Sequence, residues 1–92
     1  MNVTKIDSRT VKTYTLTVEG GEVRPQPYNR SGRQYRVQEI VVTKRDGNVS
    51  AVELRGSVLK KDGSEGANIA REPFYGQRDW PQWLHSVVGG LA

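Results

Sequence analysis

Arg24, Tyr28, Arg30, Arg33, Tyr35 and Arg36 crowd into one short window, and no acidic residue lies between Glu22 and Glu39. An arginine fork meets phosphate or carboxylate through parallel N–H bonds, and a tyrosine ring offers a stacking face to an unpaired base. With Gln26, Asn29 and Gln34 between them, these six residues are the candidate macromolecule-binding set. The chemistry suits single-stranded DNA or RNA. It also suits an acidic surface on a protein partner, where arginine and tyrosine are favoured anchors. The plainer alternative is a solvated basic loop. The charge excess is local: 14 Lys and Arg stand against 10 Asp and Glu, a net +4, and the window alone supplies that surplus. Whether Lys60, Lys61 and Arg71 join it depends on the fold.

Other reactive types are sparse. The chain has no cysteine, which excludes disulfides, thiolate metal sites and a thiol nucleophile. His85 is the single histidine and reads as a solvent-facing helix residue. Glu39 and Glu53 approach each other across a hairpin, but Arg55 and Lys44 are as near in sequence, so they read as surface cross-strand pairs and not as an acid–base dyad. Gly63-Ser64-Glu65-Gly66 lacks a following Lys-Ser/Thr and opens no helix, so it is not a phosphate loop. The expectation is a non-enzyme with no catalytic residues, no metal and no cofactor.

The elements that must position the basic window follow from periodicity. A length of 92 residues, with 35% hydrophobic and 26% charged, fits a single domain with one modest core. Residues 1 to 10 are aperiodic and read as a loose N-terminal arm. Val11 to Val18 alternates with period two and reads as a strand, ended by Gly20-Gly21. Residues 19–33, with Pro25, Pro27 and Ser31-Gly32, read as a long basic loop. Gln34 to Lys44 and Val49 to Leu59 form a hairpin across Asp46-Gly47, its register open between a two- and a three-residue turn.

A weaker strand from Ala67 to Glu72 follows, stopped by Pro73 as an edge strand would be. Asp79 is placed as the N-cap of a helix over 79–88, with Trp80, Trp83, Leu84 and Val87 at i, i+3, i+4 and i+7. Trp83 and Leu84 are expected to cover the sheet, and Trp80 lies between core and exposed anchor. The fold class is α+β: a four-stranded antiparallel meander packed by one C-terminal helix.

The stretch Tyr35-Arg36-Val37 through Gly56-Ser57-Val58-Leu59-Lys60-Lys61-Asp62-Gly63-Ser64, with Pro81-Gln82-Trp83-Leu84, resembles small uncharacterised proteins of actinobacterial phages and prophages. They share an alternating hairpin, a glycine near the end of its second strand, a Lys-Asp-Gly turn and a terminal Pro-x-Trp-Leu helix. The resemblance covers residues 35 to 88 and implies a phage origin without an activity. In element order alone, the chain is also similar to single-strand-binding coactivator domains of four strands and a helix.

The N-terminus lacks the apolar run of a signal peptide, and no stretch approaches the ~18 apolar residues of a membrane span. The expected setting is the cytoplasm, that of the host if the protein is phage-encoded, without membrane contact. The expected function is a non-catalytic binding module, a phage-derived accessory protein docking on a macromolecule, with a protein partner favoured. The alternative is a nucleic-acid-binding domain using the six residues above. An edge strand also offers a route to a homodimer.

Overall fold

The computed structural model describes residues 3–8, 11–27, 32–75 and 77–90. Among these residues are six strands, β1 (Val3–Ser8), β2 (Val11–Thr17), β3 (Val23–Pro25), β4 (Gln34–Arg45), β5 (Asn48–Leu59) and β6 (Glu65–Phe74). A one-turn 3₁₀ helix (Gln77–Asp79) and the helix α1 (Gln82–Gly89) follow. All pairings are antiparallel in one sheet of order β1-β2-β4-β5-β6, with β3 also on β4. The class is α+β.

The sheet is wider than the expected four-stranded meander, and two corrections account for this. The N-terminal segment is not a loose arm in its backbone: β1 pairs with β2 from Val3↔Leu16 to Ser8↔Val11 and forms a sheet edge. The span 19–33 is also not one long loop. The Val18 N–H donates to the Gln38 carbonyl at 2.8 Å, and the Val37 N–H donates to the Glu22 carbonyl at 2.9 Å. Val23 then pairs with Arg36 and Pro25 with Gln34. β2 and β3 are thus two halves of one hairpin arm, interrupted at Gly20-Gly21 and laid end to end along β4. Pro25 fits here because no described strand pairs with the other side of β3.

The central hairpin turns in two residues. Arg45 faces Asn48, and Asp46 and Gly47 both have positive φ, 51° and 83°, the geometry that matches strand twist. This register puts Val42 opposite Val52 and Ile40 opposite Leu54.

One face of the sheet carries the core. Tyr14 and Leu16 of β2, Tyr35, Val37, Ile40 and Val42 of β4, Val52, Leu54 and Val58 of β5, and Ala70 of β6 are buried there with Trp80, Leu84 and Val88. In β4 the buried positions change from odd to even numbers between Val37 and Ile40. A bulge between Val37 and Glu39 absorbs the extra residue, so that both halves of the strand face inward.

The helix starts later than Asp79 suggests. Asp79 ends the 3₁₀ turn, and Pro81 is the N-cap with no side-chain cap bond. The buried stripe is Leu84 and Val88, one turn apart, with Trp83 and Val87 half-buried beside it. Trp80 sits before the helix and is buried at the core's rim. The Trp83 indole N–H donates to the Glu22 carboxylate, which ties the helix to the segment leading into β3.

Candidate anion-binding groove

The six candidate residues divide by the way the strands face. Arg24 is paired with Tyr35 in register, so both side chains point to the inner face. The Arg24 guanidinium donates to both carboxylate oxygens of Glu72, Nε to Oε1 at 2.7 Å and Nη2 to Oε2 at 3.1 Å. The Tyr35 hydroxyl donates to the same Oε1 at 2.5 Å. Arg24 also lies over the Phe74 ring, 5.7 Å from its centroid. Two strands separate β3 from β6, so this contact spans the inner face of the sheet across β4 and β5.

Tyr35 is 0% exposed and presents no ring to a ligand. Burial raises its hydroxyl pKa, and the bond to Glu72 adds to that. Burial also pushes Glu72 upward, but the hydrogen bonds from Arg24 and Tyr35 outweigh it and hold its carboxyl below the ordinary range. Arg36 is likewise engaged: its Nη1 donates to the Gly21 carbonyl at 3.0 Å and holds the break between β2 and β3.

Arg24, Tyr35 and Arg36 therefore hold the scaffold together, whereas Arg33 is exposed. Tyr28 and Arg30 lie outside the described residues.

Arg33 is joined by two lysines from elsewhere. In a meander, alternate turns share one end of the sheet, so the β3–β4 and β5–β6 connections stand side by side. Between them is an open groove of about 340 Å³, lined by Gly32, Arg33, Gln34, Leu59, Lys60, Lys61 and Gly63. The β5–β6 turn is closed by the Lys60 N–H donating to the Ser64 carbonyl at 2.8 Å and the Gly63 N–H donating to the Lys60 carbonyl at 2.9 Å. Gly63 takes φ 85° at the last turn position, which an L side chain resists.

The neighbouring acid is occupied. Asp62 Oδ1 accepts from the Ser64 N–H at 2.9 Å and from its hydroxyl at 2.6 Å. Those bonds lower its pKa and keep it ionised within its own turn. Among the described residues, no ion pair engages Arg33, Lys60 or Lys61. Arg71 does not join the groove: it pairs in register with Arg55 further along β6.

The chain matches no family model, no curated protein and no solved structure. The reading of the groove therefore rests on its own chemistry. Other reactive groups are dispersed. His85 is exposed, its ring 5.0 Å from that of Trp80. Glu39 faces Arg55 in register, and the Arg55 Nε donates to Glu53, so an arginine stands between the two acids. Among the described residues, no group of three or more His, Cys, Asp or Glu could hold a metal ion, and no helix is long and apolar enough to cross a membrane.

The two classes of arginine differ measurably. Arg33→Ala is expected to change folding stability by less than about 0.5 kcal/mol, since an exposed unpaired charge contributes little. Arg24→Ala is expected to cost about 2–3 kcal/mol, because Glu72 keeps its charge and loses its fork. Urea denaturation of both variants checks this.

From sequence, whether Lys60 and Lys61 join the basic window is left to the fold. The signal that places them is parity: strands in a meander alternate direction, so turns two apart fall at the same end.

Proposed function

We propose that this protein is a non-catalytic docking module that engages an anionic macromolecule through the basic turn end of its sheet. The observation that carries the reading is the convergence of Arg33, Lys60 and Lys61 on one groove with no acidic side chain paired to them among the described residues. Unpaired cations around a concavity concentrate positive potential and speed encounter with a partner of opposite charge. The groove is open and lined by two connections and the strand ends beside them, which suits a binding surface. In the phage setting that the resemblance over residues 35 to 88 implies, such a module serves as an accessory protein that docks on a larger assembly.

Retention on an immobilised sulfated polysaccharide tests the reading, with charge as the control. The triple variant R33E/K60E/K61E is expected to elute at far lower salt than the parent. The variant K12E/R45E/R78E changes net charge equally, at exposed residues outside the groove, and is expected to remain close to the parent. Equal losses in the two variants would show that only net charge matters, and the groove reading would fall.

A further inference from the structure

We infer, resting on the docking reading above, that the groove binds the phosphodiester backbone of a single-stranded nucleic acid, with a sugar or base seated on Leu59. The groove has two walls and a floor of different chemistry. Arg33 stands on one wall, on the strand side of the β3–β4 connection, and Lys60 and Lys61 stand on the other. The half-buried Leu59, the residue before Lys60, is the one large apolar side chain of the lining and is assigned as its floor. Three cations sharing a groove with an apolar side chain match a strand whose charged backbone runs beside uncharged sugars and bases. An acidic peptide carries its charge on flexible stems and gives the floor less to cover.

The backbone on both walls is open to close approach. A Cβ placed on Gly32 or Gly63 would meet nothing within 4 Å, so a ligand can lie directly against the main chain at these positions. Gln34 adds an uncharged amide to the Arg33 side, which can donate to a phosphate oxygen or a base edge. The volume of about 340 Å³ is at the small end of ligand sites, which suits one or two nucleotides of a passing strand and not an enclosed cofactor. A duplex is a poorer fit, because its bases are stacked inside and cannot reach Leu59.

Fluorescence anisotropy with a labelled oligothymidylate strand tests this, with the corresponding duplex and poly-glutamate as competitors. Three phosphate contacts give a log–log salt slope of about −2, from about −0.7 per contact on single strands. Affinity is then expected to fall about sixteenfold between about 50 and 200 mM salt. Single changes Arg33→Gln, Lys60→Gln and Lys61→Gln should each flatten the slope by about 0.7. Leu59→Ser should weaken binding while leaving the slope unchanged, which separates the floor from the cations. The duplex and poly-glutamate are expected to compete poorly.

Poly-glutamate binding as tightly as the oligonucleotide, through the same three cations, would overturn the nucleic-acid assignment and leave the docking reading standing. Binding of every polyanion unchanged by the three substitutions would overturn both.

Discussion

Replacing Glu72 with alanine is expected to lower folding stability by about 3 kcal/mol, since truncating one member of a largely buried pair leaves its partners with little compensation. Both Arg24 and Glu72 have side chains only 17% exposed, so solvent screens the loss little. The Arg24 guanidinium would lose both hydrogen bonds to Glu72 and keep only the longer pair with Glu22 at 3.8 Å, and the buried Tyr35 hydroxyl would lose its acceptor. The contact also joins β3 to β6 across β4 and β5, so its removal is expected to loosen β3 from the rest of the sheet. Urea denaturation measures the loss. A change below about 1 kcal/mol would mean that the fork contributes no more than an exposed pair does.

The same network gives stability a pH dependence with a defined sign. Glu72 is held below its ordinary pKa, so its contribution is present above the unfolded value, about 4.3, and is lost as pH falls through the lower folded value. Tyr35 is shifted upward, so its contribution is intact below the unfolded value of about 10 and declines as pH rises beyond it. Glu72→Gln should flatten the acid limb and leave the alkaline limb steep. An acid limb identical in the two proteins would assign the acid sensitivity to other carboxylates.

Gly56→Ala is expected to be at least as damaging, at about 3 kcal/mol or more, the upper end for forcing extra atoms into a packed interior. A Cβ at Gly56 would stand 1.7 Å from the Arg36 carbonyl oxygen and 3.2 Å from the Gln38 nitrogen. These are backbone atoms at the bulge of β4, so no side-chain rotation relieves the clash. The bulge keeps Tyr35 and Val37 on the same face as Ile40 and Val42, and a displaced β4 would compromise both halves of the core. Gly89→Ala serves as the control, because a Cβ there meets nothing within 4 Å. Thermal unfolding should show a much lower midpoint for the first variant and a nearly unchanged one for the second.

The central hairpin was legible because its signals are local. Asp46-Gly47 specifies a tight turn, and period-two alternation in Val52 and Leu54 marks the inner face of β5. The bulge in β4 was not legible, since one extra residue moves every following side chain to the other face without any change of composition. Gly56 stood out as a glycine late in β5, and the close approach of Arg36 supplies its physical reason. The basic window was misread in part because a charge run reads as surface. Arg24 faces inward, and its partner Glu72 lies 48 positions further along the chain. A hint was present: Glu72 sits between Ala70 and Phe74 in an inward-facing alternation, where an acid needs a buried cation. The groove needed the topology as well, because Arg33 and the two lysines meet only once β3–β4 and β5–β6 are known to turn at one end.

Amide chemical-shift mapping with an oligothymidylate strand locates the ligand on the surface directly. Perturbations are expected at Arg33, Gln34, Leu59, Lys60, Lys61 and Gly63, saturating together. Perturbations centred instead on the opposite end of the sheet, around Arg45, Asn48 and Tyr75, would contradict the assignment of the basic turn end as the binding surface.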